Sequence, residues 1–215
     1  MKNGNITLKA NRIGDNDWPK SNSGKNSGQT GIDLSSYGFG GWKKWQAYVG
    51  VISPHKNYNG YDNSVKYWRQ SYMEGTFKQP NAGYGFWTAF WLSGADSWPP
   101  ETDIFEYLSS SGSAGAHGWY TNMHKSSSSS EGNWYWGSNL RTQFHRYALD
   151  WGYDYMDMYY DGQLYKRYTG DIVNVQNSSG GCVLVINTGV GGWESSLPSQ
   201  YGIGMSMEWF KSWQY

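Results

Sequence analysis

The sequence predicts an all-β fold built from two packed antiparallel sheets. Short runs rich in aromatic and β-branched residues recur along the chain, with side chains alternating between apolar and polar. Between them lie turns rich in Gly, Ser, Asn and Asp, in a chain with 29 Gly. Helical periodicity is almost absent, and many short strands without helices point to a sandwich.

Taken in order, residues 6–10 and 47–52 read as the first strands, separated by a Gly/Ser/Asn-rich stretch over 11–41 that matches nothing specific. A strand follows at 70–77. The aromatic run Gly83-Tyr84-Gly85-Phe86-Trp87-Thr88-Ala89-Phe90-Trp91-Leu92 contains another at 86–92. Gly94, Asp96, Pro99 and Pro100 then signal a turn, so the next strand, 102–108, should be its neighbour. Residues 118–124 form a strand, and the serine run 126–130 reads as a mobile low-complexity loop. Strands at 145–151, 155–160 and 163–167 come next, the last two joined by Asp161-Gly162, a two-residue hairpin signal. Apolar Cys182-Val183-Leu184-Val185-Ile186 lies in a buried strand over 182–188, and 205–212 closes the set.

With 215 residues the chain fits one domain, 1–215, able to bury roughly 70% of its extended surface. Net charge is zero and only 16% of residues are charged, which argues against nucleic acid, an anionic membrane surface or a strongly sulfated polymer as partner. Cys182 is the only cysteine; no internal disulfide exists, and its apolar setting offers no activating base. No run of about 20 apolar residues and no signal-peptide core occur. Spacing along the chain reveals no transition-metal cluster and no phosphate-cradling loop.

The chemistry concentrates in Glu101-Thr102-Asp103-Ile104-Phe105-Glu106, three carboxylates on one strand. Glycosidic hydrolysis ordinarily needs two carboxyl groups, one protonated as general acid and one ionised as nucleophile or base. Alternation puts Glu101 and Asp103 on one face and Glu106 on the other. A β-bulge at Ile104-Phe105 would restore Glu106 to their face, where crowded like charges raise the proton affinity of at least one acid. A solvated acidic strand face is the competing reading. Trp87 and Trp91, four residues apart, share a face that suits either a sugar-binding wall or core packing. The 14 Trp and 19 Tyr against 7 Phe favour aromatics with a polar handle.

The run from Gly85 to Leu108, with Trp98-Pro99-Pro100 before the acidic motif, resembles glycoside hydrolase family 16 in its bulged E-x-D-x-x-E form. Phe144-His145-Arg146-Tyr147-Ala148-Leu149-Asp150-Trp151, Asn187-Thr188-Gly189-Val190-Gly191-Gly192 and the closing Glu208-Trp209-Phe210-Lys211-Ser212-Trp213-Gln214 are similar to its later strands. The resemblance implies a curved jelly roll with the acids on its concave face. It implies Glu101 as nucleophile, Asp103 as the neighbour that tunes it, Glu106 as general acid/base, and Trp87, Trp91 and His124 as substrate-binding residues. In strand 118–124 a lone His is equally a packed or surface residue. Two departures stand out: Thr88 occupies the family's usual Pro position, and the stretch that Gly4-Asn5-Ile6-Thr7-Leu8 resembles begins almost at Met1, so an edge strand is absent or trimmed.

The expected protein is thus a retaining endo-β-glucanase acting on β-1,3- or mixed β-1,3/1,4-linked glucan. It is expected to be secreted with its signal removed, monomeric, without nucleic-acid or membrane partners and without a cofactor, a structural calcium ion being compatible with the family. A galactan hydrolase of agarase or carrageenase type, a transglycosylase and a non-catalytic carbohydrate-binding module remain as alternatives.

Overall fold

The computed structural model describes residues 6–12, 32–33, 42–43, 47–48, 50–52, 68–83, 85–95, 97–109, 118–190 and 202–215. Most of the 11–41 stretch, Asn5 and Gly191-Gly192 lie outside them.

The strands are β1 (Ile6–Arg12), β2 (Ile32–Asp33), β3 (Trp42–Lys43), β4 (Ala47–Tyr48), β5 (Gly50–Ile52), β6 (Ser71–Lys78), β7 (Phe86–Gly94) and β8 (Glu101–Leu108). After these come β9 (Gly118–Ser126), β10 (Ser129–Trp136), β11 (His145–Trp151), β12 (Tyr155–Tyr160), β13 (Gln163–Thr169), helix α1 (Asp171–Ser178), β14 (Cys182–Val190) and β15 (Ile203–Gln214). One sheet runs β13-β12-β11-β6-β15-β1-β4 and a second β10-β9-β8-β7-β14-β5; β2 and β3 pair separately. All pairs are antiparallel, and the sheets form a two-layer jelly-roll sandwich, as the strand pattern predicts.

Every strand foreseen within the described residues is present, and the differences lie in its details and in added elements. The 47–52 strand is two short pieces, β4 in one sheet and β5 in the other. The serine run is no loose loop: Ser126 ends β9, Ser129 begins β10, and the tip between them is a tight turn. Strand β10 was hidden because Ser and Gly are poor strand formers, and an outer strand needs no continuous apolar face. Helix α1 was also unforeseen. It has eight residues, Gly170 rather than a side-chain cap at its start, and β-branched Ile172 and Val173 turned inward. At the β12–β13 hairpin both Asp161 (φ 48) and Gly162 (φ 82) take positive φ, the geometry that Asp-Gly favours.

The core lies between the sheets. Met73 and Phe77 of β6, Tyr147 and Leu149 of β11 and Met158 of β12 face Phe90 and Leu92 of β7, Phe105 of β8 and Trp119 and Met123 of β9, all fully or almost fully buried. Phe77, Phe90, Phe105 and Tyr147 interlock with ring centroids 4.5 Å (Phe105–Tyr147) to 6.2 Å (Phe77–Tyr147 and Phe90–Phe105) apart. Each such pair contributes about 0.5–1.5 kcal/mol beyond area burial.

This cluster anchors an irregularity in β8. Against β7 the register steps from Phe90↔Phe105 to Trp91↔Asp103, and against β9 from Glu106↔Tyr120 to Asp103↔Asn122. One residue of β8 is therefore extra, at Ile104-Phe105, the bulge that the spacing of the acids requires. Ile104 and Phe105 are consecutive, yet both enter the core with no exposed surface. The carbonyls that the bulge takes out of the ladder find side-chain donors. The Thr121 hydroxyl sits 2.6 Å from the Asp103 oxygen and 3.0 Å from that of Ile104, and Tyr165 of the opposite sheet donates to Ile104 O at 2.7 Å.

Removing these donors tests the support. Thr121→Val keeps the shape and deletes the hydroxyl, so it should cost about 1–3 kcal/mol by leaving a buried carbonyl unpaired. Tyr165→Phe should do the same to a smaller extent, both read by urea unfolding.

Candidate active site

Register fixes which side chains share the outer face of the six-stranded sheet. One row holds Trp134, Tyr120, Glu106, Ala89 and Asn187; the next holds Gly132, Asn122, Asp103, Trp91 and Val185; the third holds Ser130, His124, Glu101, Ser93 and Val183. Glu101, Asp103 and Glu106 of β8 thus emerge side by side on the outer face of the sheet. Trp87 and Trp91 flank them on β7, and His124 lies directly across from Glu101 on β9. The structure brings all six sequence-derived candidates to one face.

Their environments differ. Glu101 Oε2 accepts a hydrogen bond from Trp98 Nε1 at 2.8 Å, and His124 Nε2 lies 3.3 Å from Glu101 Oε1. The same imidazole nitrogen is 2.8 Å from Asn122 Nδ2 and 3.8 Å from Asp103 Oδ2, while the Trp98 ring stands 5.5 Å from the His124 ring. Asp103 is almost wholly buried, and its Oδ2 has no hydrogen-bond partner among the described residues.

Burial raises the proton affinity of all three acids, by unequal amounts. For Glu101 desolvation pushes the pKa up, but the Trp98 N–H and the nearby His124 pull it back. Asp103 is held well above the usual carboxylate range by desolvation first, then by the charges of Glu106 and Glu101. Glu106 is pushed up to about 8, by desolvation and then by Glu101. Two glutamates on one face with environments that push their proton affinities apart are the arrangement that lets one act as acid and one as base. One atom each from Glu101, Asp103 and His124 also lies within 4.8 Å of the others. Among the described residues this trio has the spacing to hold a cation, a grouping invisible in the linear sequence.

Several site residues escaped the sequence reading. Trp98 sits in the turn, three residues before Glu101, half exposed. Tyr120 and Trp134 pack in a tilted pair across β9 and β10 with centroids 5.4 Å apart. Gly132 makes room beneath them, since a Cβ there would meet Tyr120 Oη at 2.3 Å and Asn122 Oδ1 at 2.7 Å. Trp91 donates from Nε1 to Asn187 Oδ1 at 2.8 Å, which fixes its ring over β14. Trp87 lies over Gly189, where a Cβ would come within 2.3 Å of the indole nitrogen. The alternation of Trp134 and Trp136, and of Tyr120, Asn122 and His124, was the available signal.

A further support comes from behind. The buried Gln176 of α1 donates from Nε2 toward the carbonyls of Glu101 (3.2 Å) and His124 (3.4 Å), which are register partners.

A jelly-roll sandwich presenting three crowded carboxylates beneath aromatic side chains is the architecture of a glycoside hydrolase. The family model "Glycosyl hydrolases family 16" matches residues 15–211, and the chain belongs to that family. No curated protein matches the sequence significantly. Similar solved structures include the catalytic domain of an endo-1,3-β-glucanase (laminarinase) from Thermotoga petrophila RKU-1, with 20% identity, TM-score 0.66, and 99% of this chain covering 78% of that one. Another is a non-specific endo-β-1,3(4)-glucanase from the same family, with 20% identity, TM-score 0.69, and 99% of this chain covering 72% of that one. A third is a Bacteroides ovatus mixed-linkage glucan enzyme in complex with a G4G4G3G product, with 19% identity, TM-score 0.66, and coverage of 99% and 82%. Among the described residues no helix is long and apolar enough to cross a membrane.

Two outcomes follow from the site's construction. Glu106 holds its proton to about 8 when folded against 4.5 ordinarily, so the native state binds more protons between those values and stability falls as pH rises through that window. Glu106→Gln removes the effect: its Tm should exceed that of the wild type near pH 8 and converge with it near pH 4, as read by calorimetry. Gln176→Leu should cost about 1–3 kcal/mol in urea unfolding by stripping a donor from the part-buried carbonyls of Glu101 and His124.

Proposed function

We propose that this protein is a retaining endo-β-glucanase that hydrolyses β-1,3-linked or mixed β-1,3/1,4-linked glucan. The observation that carries the reading is the unequal treatment of two glutamates on one face. Glu101 is offered a hydrogen-bond donor and an imidazole that favour its anion, whereas burial and the charge of Glu101 keep Glu106 protonated.

Glu101 attacks the anomeric carbon while Glu106 gives its proton to the departing glycosidic oxygen. A covalent glycosyl-enzyme forms and the aglycone leaves. Glu106, now ionised, takes a proton from water, whose oxygen displaces Glu101 and releases a sugar of unchanged anomeric configuration. Asp103, buried between the glutamates with its proton affinity raised by desolvation, moderates the charge on Glu101. Trp87, Trp91, Tyr120, Trp134 and Trp98 supply aromatic faces for the apolar C–H surfaces of successive pyranoses. His124 orients Glu101. The similar glucanases support glucan over other sugars, and the neutral surface agrees with an uncharged polymer. Such a polymer is met outside cells, so the enzyme acts there.

Glu101→Gln and Glu106→Gln should each lower kcat by several orders of magnitude while leaving polysaccharide binding intact. Full activity in Glu101→Gln would favour a binding module. Azide should rescue small-side-chain variants with opposite products, the α-glycosyl azide at position 101 and the β at position 106. Proton NMR of the first turnovers should show the β-anomer, as a double displacement through a covalent intermediate requires; early α-anomer would exclude the mechanism. With the wild type, kcat/KM should fall as pH rises through about 8, where free Glu106 loses its proton. Cleavage of agarose or carrageenan but not laminarin or lichenan would keep the mechanism and replace the substrate.

A further inference from the structure

The outer face of the seven-stranded sheet lies on the opposite side of the sandwich from the acids and is also carpeted with aromatic side chains. Tyr72 of β6 packs against Trp213 of β15 with ring centroids 5.7 Å apart, and Trp213 is half exposed. Tyr155 and Tyr159 of β12 and the C-terminal Tyr215 share this surface.

These tyrosines are held in place through their hydroxyls. Tyr72 donates to Glu74 at 3.0 Å, Tyr159 to Asp157 at 3.4 Å, and Tyr155 and Tyr215 both to Asp150, at 3.3 and 2.7 Å. Asp157 is itself gripped by two nitrogens of Arg167. Rings fixed in this way lose little freedom when a ligand stacks on them.

Between the rings is a half-open depression of about 230 Å³ lined by Tyr72, Arg146, Ala148, Tyr159 and Gly162. Ala148 is its floor: register places it between Glu74 and Tyr159, where any larger residue would fill the space. Arg146 reaches over the rim. Its Nη2 lies against Gly162, where a Cβ would meet it at 2.7 Å and push the flexible guanidinium aside, and its Nε is 3.9 Å from Glu74.

We propose that this depression is a second carbohydrate-binding site, which takes a pyranose unit of a neutral polysaccharide and holds the polymer on the enzyme away from the acids. The chemistry selects that occupant. Flat rings on two sides suit sugar C–H faces, and the guanidinium and carboxylates at the rim suit hydroxyl groups. Opposed charges (Arg146 with Glu74, Arg167 with Asp157) leave no net field for a polyanion. The volume fits one ring, since sites for larger drug-sized ligands run to about 300–1,000 Å³. The choice of glucan as probe rests on the glucanase reading; the site itself does not.

The test is affinity electrophoresis in gels containing laminarin, lichenan or agarose, on wild type, Tyr159→Ala, Ala148→Leu and Trp213→Ala, with turnover of a short soluble laminari-oligosaccharide measured in parallel. Tyr159→Ala and Ala148→Leu should weaken retention by the polymer on the order of tenfold, about one aromatic contact's worth, while oligosaccharide turnover stays at the wild-type level. Circular dichroism and Tm establish that each variant is folded, and Trp213→Ala, at the margin, gives an independent reading if Ala148→Leu does not fold. Unchanged retention in Tyr159→Ala and Trp213→Ala overturns the proposal. So does sedimentation showing that the wild type self-associates through this face and the variants do not. If no glucan is cleaved, yet retention is lost in the variants, the glucanase reading fails and the second site stands.

Discussion

The structure turns on one extra residue in β8. If these same residues ran as a regular strand, alternation would drive Glu106 into the layer between the sheets, where Phe105 packs against Phe77 and Tyr147. With it, two consecutive apolar side chains, Ile104 and Phe105, both enter the core, and Asp103 and Glu106 both leave it. The bulge is a local departure from the ladder that the rest of the fold must hold. The interlocked aromatic cluster seizes Phe105, and Thr121 and Tyr165 hydrogen-bond the carbonyls that the ladder gives up.

Gathering three carboxylates on one face is unfavourable in itself. Burial and mutual repulsion raise the proton affinity of all three, and keeping them there costs stability that the aromatic core offsets. What makes the arrangement useful is its asymmetry. Trp98 and His124 reach Glu101 and favour its anion, whereas burial and the neighbouring charge of Glu101 push Glu106 up to about 8. Neighbouring strands set this division: β9 carries His124 opposite Glu101, and the turn before β8 brings the Trp98 indole back onto it.

Much of this was legible in the sequence because strand period is rigid. Three acids spaced 101, 103 and 106 cannot share a face without a bulge, so the spacing itself predicted one at Ile104-Phe105. Asp161-Gly162 was equally readable, since few residue pairs tolerate two positive φ values. Elements whose residues carry no pattern stayed hidden. Strand β10 begins in a serine run and sits at the end of its sheet, and α1 is too short and too rich in Ile and Val to declare itself a helix. Its Gln176 reaches the site only through tertiary packing, which no linear spacing encodes. Trp98 and Asn122 were likewise invisible, because what they touch is decided by a turn and by register.

The central claim is that the bulge presents Glu101 as an ionised nucleophile beside a protonated Glu106. A 2-deoxy-2-fluoro-β-glucosyl oligosaccharide with a good leaving group slows hydrolysis of the covalent intermediate, so the labelled residue can be found by mass spectrometry of proteolytic peptides. Stoichiometric labelling of Glu101 is the predicted result. A label on Asp103 or Glu106, or no covalent species with an enzyme that still turns over the substrate, would contradict it.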